Sequence, residues 1–126
     1  MRAIPTVVAD VNGLMMPFQF GINLDSQLAR LLGACRIVVP ESVVGELVNL
    51  SKRIPEARAA LALARRCERV PVGAANPDEA ILALAKERKA YVLTNDAGLI
   101  ALLRKARIPV IRMRGRTHLA VEGELS

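Results

Sequence analysis

The sequence predicts an α/β protein, built as a three-layer α/β/α sandwich around a central parallel sheet of four to five strands. Short apolar runs rich in Val and Ile alternate with segments of helical periodicity, which favours parallel strands joined by helical crossovers. These runs are almost continuously hydrophobic, as is typical of strands that are buried on both faces. A chain of 126 residues that is 52% apolar fits a single domain over residues 1–126.

Five segments have strand character, and polar or turn-forming residues follow most of them. They are residues 4–9, 37–39, 70–72, 91–94 and 110–113. Five further segments have helical periodicity, namely residues 24–32, 42–50, 56–67, 78–89 and 98–105. The apolar stretch 14–20 fits neither pattern, because Pro17 argues against an unbroken helix. We interpret this stretch as core packing, with a dimer contact as the alternative.

Composition excludes several classes of protein. The longest apolar runs fall far short of the roughly 20 residues that span a bilayer, so we expect no membrane partner. Cys35 and Cys67 have no paired spacing and His118 is the single histidine, which argues against a zinc site or a disulfide framework. We therefore expect a cytoplasmic protein.

The charge distribution predicts a polyanionic partner. The formal net charge is +6 and the pI is near 10.2, and a basic surface gains affinity by releasing counterions from phosphates. No acidic residue occurs between residues 97 and 121, and a basic tail is expected from about residue 112. The alternative is that these charges only solvate a surface. The basic residues in this stretch are Arg104, Lys105, Arg107, Arg112, Arg114 and Arg116.

Acidic residues follow two of the predicted strands. Asp10 comes directly after the first strand, and Asp96 comes two residues after Thr94, which ends the fourth. Functional groups of a parallel sheet gather at the carboxyl ends of its strands, so both carboxylates are expected at one edge. Two unpaired carboxylates in a cleft raise each other's pKa, and a hard cation between them is the natural resolution.

Two further acidic positions join this set. Glu46 lies three and four residues from Val43 and Leu50, so it borders the apolar face of its helix. Asp78 or Glu79 begins a helix that is apolar almost all round, and its amino end is expected at the same sheet edge.

Each acidic residue also has a purely structural interpretation. Asn76 and Glu79 fit a capping box, and Asp78 would favour the dipole of the same helix. Asp96 has the spacing of an ordinary helix cap, and Glu46 taken alone fits the rim of a helix. Asp10 has the weakest structural explanation. The occurrence of all these acidic residues together therefore favours a shared functional site.

These residues resemble the motifs of PIN-domain nucleases. The matching segments are VVADVNGLM around Asp10, VVGEL around Glu46, PDEAILALA around Asp78 and YVLTNDAGL around Asp96, followed by IPVIRM. They occur in order over residues 6–113, and the combination is more specific than any one of them.

The resemblance implies a parallel sheet sandwiched by helices and an acidic pocket that uses Mg²⁺ or Mn²⁺ to cleave RNA. It implies that Asp10, Asp96 and Asp78 bind metal and that Glu46 completes the catalytic set, with Glu79 as an alternative third acid. Asn12, Thr94 and Asn95 are then polar neighbours of the pocket, and the basic residues named above hold the RNA backbone.

The resemblance leaves the biological role open. It is compatible with the toxin half of a toxin–antitoxin pair, which has an antitoxin partner, and with a ribosomal-RNA processing factor acting on a precursor particle. The family often forms homodimers, so a homodimer is expected. The main alternative is a non-catalytic RNA-binding module with the same fold. A receiver-type signalling domain fits the basic charge less well.

Overall fold

The computed structural model describes residues 3–73 and 76–125 of the chain. The strands in this part are β1 (Thr6–Ala9), β2 (Arg36–Pro40), β3 (Glu68–Val70), β4 (Tyr91–Leu93), β5 (Val110–Arg114) and β6 (His118–Glu122). They form one sheet in the order β3-β2-β1-β4-β5-β6. Strands β1 to β5 are parallel, and β6 pairs antiparallel with β5.

Helices fill the connections between the parallel strands. They are α1 (Val11–Phe20), α2 (Leu24–Leu32), α3 (Glu41–Leu50), α4 (Pro55–Ala64), α5 (Pro77–Arg88) and α6 (Ala97–Lys105). The crossovers from β1 to β3 run in one direction along the sheet, and those from β3 to β5 run in the other. Right-handed connections therefore place α1 to α4 on one face and α5 and α6 on the opposite face. This arrangement confirms the predicted α/β sandwich.

The middle of the sheet is the apolar core, as expected for strands covered on both faces. Val7, Val8 and Ala9 of β1 have no exposed surface, and neither do Val92 and Leu93 of the neighbouring β4. Strand β1 leads toward β2 and strand β4 leads toward β5, so the direction of the connections reverses between β1 and β4. Such a switch point leaves a crevice at the carboxyl ends of its two strands.

The residues from about 112 onward differ from the predicted basic tail. They complete β5 and form β6, in which Leu119 is buried against the core. Helix α2 covers part of the outer edge of β6, because Gln27 accepts a hydrogen bond from the Leu119 N–H and Arg30 donates one to its carbonyl oxygen. These contacts satisfy backbone groups that an edge strand would otherwise offer to another chain.

The stretch around Pro17 also differs from expectation, since α1 continues through this proline. The missing backbone N–H of Pro17 costs one helical hydrogen bond. Leu14, Met16 and Pro17 are all buried, and this apolar burial offsets the loss. The helix ends at Gly21, which adopts the left-handed conformation at φ 66° that glycine tolerates best.

The boundaries of two further elements differ by a few residues from those predicted from the sequence. Strand β3 lies two residues before the predicted segment 70–72, and α4 ends at Ala64 instead of residue 67. Across the described ranges, the helices are too short and too polar to cross a membrane.

Candidate active site

Asp10 lies where β1 ends and α1 begins, at the switch point of the sheet. Its Oδ1 atom accepts a hydrogen bond from the Gly13 N–H at 2.6 Å and so caps α1. Its Oδ2 atom accepts a hydrogen bond from the hydroxyl of Thr94 at 2.7 Å, across from the end of β4. Thr94 is fully buried, which makes this second hydrogen bond part of the protein interior.

The ionised form of Asp10 is disfavoured by its surroundings. The pKa of Asp10 is raised from its ordinary value of 3.8 to about 6, mainly by burial and to a smaller extent by the nearby charges of Asp96 and Asp78. The hydrogen bonds from Thr94 and Gly13 act in the opposite direction, since they stabilise the carboxylate. Asp10 is therefore a half-buried acid that lies near other acids.

The loop after β4 is fixed by hydrogen bonds that use the sequence TND. The Asp96 N–H donates to the Thr94 hydroxyl oxygen at 3.1 Å, and Asp96 Oδ1 accepts from the Leu99 N–H at 3.0 Å, which caps α6. Asn95 donates its N–H to the side-chain oxygen of Asn12 at 2.8 Å and accepts from the Met113 N–H at 3.0 Å. These bonds link the ends of β1, β4 and β5.

A cavity of about 820 Å³ opens above these strand ends. The predicted acids Asp10, Glu46, Asp78 and Asp96 all line it, together with Glu79. None of the lining residues that the structure describes is basic. The cavity therefore gathers carboxylates from α3, from the start of α5 and from the ends of two strands, with no positive side chain in its described wall.

Comparison with known proteins identifies the family. The sequence profile of the PIN-like domain matches residues 7–116, which is most of the chain. This chain belongs to the PIN-like domain family. No curated protein matches it.

Two solved structures are similar to this PIN-like domain. The PIN domain endonuclease Utp24 superposes with a TM-score of 0.82 at 28% identity, and the match covers 96% of this chain and 93% of the Utp24 chain. A domain of a functionally unknown protein from Methanocaldococcus jannaschii DSM 2661 superposes with a TM-score of 0.58 at 20% identity, covering 97% and 96% of the two chains. The second likeness shows the fold alone.

The three polar residues predicted to surround the pocket of this PIN-like domain differ in whether they line the cavity. Asn12 lines the cavity. Thr94 and Asn95 hold the strand ends through the hydrogen bonds described above, and they are absent from the described lining of the cavity. Thr94 and Asn95 therefore act on the site through Asp10, Asp96 and Asn12.

The amino end of α5 presents the two candidates for the third acid. Asn76 caps this helix by accepting a hydrogen bond from the Glu79 N–H at 2.9 Å, as the capping interpretation predicts. Asp78 is close enough to Asp10 for its charge to raise the Asp10 pKa. This proximity agrees with the prediction of Asp78 as the third acid, and Glu79, which lines the same cavity, stays the alternative.

The acidic residues surround the cavity without converging on one point. Within residues 3–73 and 76–125, no three His, Cys, Asp or Glu side chains form a compact group that could by itself hold a metal ion. Mg²⁺ typically retains several waters and takes only one or two carboxylates plus substrate phosphates. The several carboxylates and the wide cavity therefore fit a hydrated divalent cation of this kind.

The basic residues predicted to bind RNA lie outside the described lining of the acidic cavity. Arg104 and Lys105 end α6, Arg112 and Arg114 lie on β5, and Arg116 packs over the ring of Phe20 at 5.4 Å. The sequence analysis missed Glu122, whose carboxylate pairs with both Arg104 and Arg112. Its position as the first acid after the acid-free stretch 97–121 was the available signal.

Proposed function

We propose that this PIN-like domain is a metal-dependent endoribonuclease that hydrolyses RNA phosphodiester bonds with Mg²⁺ or Mn²⁺. The observation that carries the proposal is the cavity at the β1–β4 switch point, in which the half-buried Asp10 lies near Asp96 and Asp78. Membership of the PIN-like family and the similarity to an endonuclease over nearly the whole chain support nuclease chemistry.

The acids of the cavity have distinct positions for this chemistry. Asp10, Asp96 and Asp78 would hold the cation, which supplies a polarised water and offsets negative charge on the phosphoryl oxygens. Thr94 and Gly13 fix the orientation of Asp10, and each oxygen of its carboxylate keeps a further lone pair beyond these two hydrogen bonds. Glu46 lines the same cavity and adds a carboxylate that can accept a proton from attacking water.

The acidic cavity requires a separate source of affinity for RNA, because carboxylates repel phosphates. The net charge of +6 and the basic residues on α6, β5 and the following turn supply it. With one Tyr and two Phe in the chain, base stacking contributes little. We therefore propose recognition through the RNA backbone, with modest base preference.

The roles and partners inferred from the family resemblance stay predictions. These are the toxin role with its antitoxin, ribosomal-RNA processing on a precursor particle, and the homodimer. Phe18 on α1 is 41% exposed and is the apolar side chain of the 14–20 stretch on which a dimer contact would depend. Leu14 and Met16 are buried in the core, as the packing interpretation predicted.

A cleavage assay tests the proposal. Labelled single-stranded RNA is incubated with Mn²⁺, with and without EDTA, and with Asp10→Asn and Asp96→Asn variants. Asp25→Asn is the matched control. Asp25 lies beside Cys35 and Arg36 at the amino end of β2, whereas the cavity lies at the carboxyl ends of the strands. Circular dichroism verifies that every variant is folded.

We expect cleavage that EDTA abolishes, that falls by about 100-fold or more in the two cavity variants, and that persists in the control. Removing a carboxylate that holds the ion should have this effect, whereas removing one at the opposite edge should not. RNA binding by wild type without cleavage would overturn the proposal and support the non-catalytic RNA-binding module.

A further inference from the structure

One face of the β5–β6 hairpin is a strip of polar side chains beside α6. Alternate residues of a strand point to the same face, so Arg112 and Arg114 share one face of β5. In the antiparallel register, Arg112 is opposite Ala120 and Val110 is opposite Glu122, which places Glu122 on that same face. Arg112, Arg114, Ala120 and Glu122 line a cavity of about 310 Å³.

Glu122 is the acid within this strip, and each of its carboxylate oxygens faces a different arginine. Oε2 lies 2.8 Å from Nη2 of Arg104, and Oε1 lies 3.6 Å from Nη1 of Arg112. The hydrogen bond from Arg104 lowers the pKa of Glu122, and the charges of Arg104, Arg112 and Arg114 lower it further. The carboxylate therefore stays ionised, and it is paired with two of the arginines predicted to hold RNA.

Glu122 also separates two arginine-lined cavities. The 310 Å³ cavity with Arg112 and Arg114 lies on one side, and a cavity of about 300 Å³ lined by Arg104 and Arg107 lies on the other. A carboxylate held by two guanidinium groups presents the same single negative charge and the same kind of acceptor oxygens as a phosphodiester bound between them. The position of Glu122 is thus the one that a backbone phosphate would take to bridge the two arginine pairs.

We infer that Glu122 is an internal substitute for a backbone phosphate, and that a phosphodiester group of bound RNA displaces it from Arg104 and Arg112. This inference rests on the proposed function for the identity of its ligand. The side chain of Arg104 is 60% exposed and that of Glu122 is 33% exposed, and ion pairs this exposed contribute little to stability. Displacement of Glu122 by a phosphate therefore costs little free energy. Glu122 weakens RNA binding without preventing it.

Glu122→Gln tests the inference, because glutamine keeps the shape and one acceptor oxygen but removes the charge. Glu68→Gln is the matched control: it makes the same charge change at a glutamate that also pairs with an arginine, Arg88, but lies on β3 at the opposite end of the strand order. Binding of fluorescein-labelled single-stranded RNA is followed by anisotropy in EDTA, between about 50 and 300 mM KCl. Thermal melting of each variant verifies that it is folded.

We expect Glu122→Gln to bind RNA about 3- to 10-fold more tightly than wild type at the lowest salt. The slope of log Kd against log salt should steepen by no more than about 0.7, the effect of one charge on a single strand, because the same two arginines contact phosphates in both proteins. Glu68→Gln should change affinity by less than about 2-fold. Adding Arg112→Ala to Glu122→Gln should remove most of the gain.

Equal affinity of Glu122→Gln and wild type would overturn the inference. Weaker binding would also overturn it, because Glu122 would then be ordering the arginines for RNA instead of competing with it. A parallel assay of the wild type with Mn²⁺ separates this inference from the proposed function. Tighter binding by Glu122→Gln without any cleavage would contradict the nuclease alone, and cleavage with unchanged affinity would contradict only the role of Glu122.

Discussion

Replacing Asp10 with Asn should stabilise the protein while it destroys the site. Asp10 is half-buried near Asp96 and Asp78, and the two hydrogen bonds that its ionised form accepts do not fully offset the loss of hydration. Asparagine keeps the capping oxygen for the Gly13 N–H, and its amide group can donate to the Thr94 hydroxyl oxygen. The substitution therefore removes the charge at a small cost in hydrogen bonding.

The size of the effect follows from the pKa. A rise from 3.8 to about 6 means that the folded state holds the proton of Asp10 more tightly than the unfolded state does. Stability therefore falls as pH rises through this range, and the full cost is present above about pH 6. At about 1.4 kcal/mol per pKa unit, the cost is about 3 kcal/mol. The altered hydrogen bonds of the asparagine reduce this gain. We therefore expect Asp10→Asn to raise the free energy of unfolding by about 1 to 3 kcal/mol at pH 7.5.

Thermal melting followed by circular dichroism between pH 4 and pH 8, in EDTA, measures this gain. At roughly 3 to 5 °C per kcal/mol for a domain of this size, Asp10→Asn should melt about 3 to 15 °C above wild type at pH 7.5. The two Tm values should converge near pH 4. Asp25→Asn, at the opposite sheet edge, should show no such increase. A Tm of Asp10→Asn at or below wild type at pH 7.5, or a difference independent of pH, would refute the reasoning.

Three further predictions concern packing, polar support and RNA binding. Thr94→Val should lower the free energy of unfolding by about 1 to 3 kcal/mol in denaturant titrations, because it leaves a buried N–H and carboxylate without their partner. Gly13→Ala should destabilise by about 2 kcal/mol or more, since a Cβ there would overlap the carbonyl of β4, whereas Gly45→Ala, with open space around it, should stabilise by about 0.5 to 1 kcal/mol. Combined Arg112→Ala and Arg114→Ala should weaken RNA binding and flatten its salt dependence, and an unchanged salt slope would contradict their role.

The parallel core of the fold was predictable because its signals are local. Each buried strand is a short apolar run, and most acids of the cavity follow such a run or begin a helix. Glu46 is the exception, since it lies in the middle of α3 beside the apolar face. Asp10 and Asp96 could be expected at one edge from this pattern. The sequence left open whether β1 and β4 are neighbours, and their pairing in the structure brings the two residues to one cavity.

The parts that were missed depend on contacts between distant segments. Strand β6 has a single buried side chain, that of Leu119, and it is fixed by pairing with β5 and by Gln27 and Arg30 of α2. Helix α1 continues through Pro17 because tertiary burial outweighs the local penalty. The pairing of Glu122 with Arg104 joins residues on different elements, so no local pattern predicts it.

The central claim is that the carboxylates at the β1–β4 switch point bind a divalent cation, and a Mn²⁺ titration followed by electron paramagnetic resonance of free Mn²⁺ tests it most directly. We expect saturable binding by wild type at pH 7.5, weakened about 10-fold or more in Asp10→Asn and Asp96→Asn and unchanged in Asp25→Asn. Equal Mn²⁺ affinity of wild type and both cavity variants would contradict the claim.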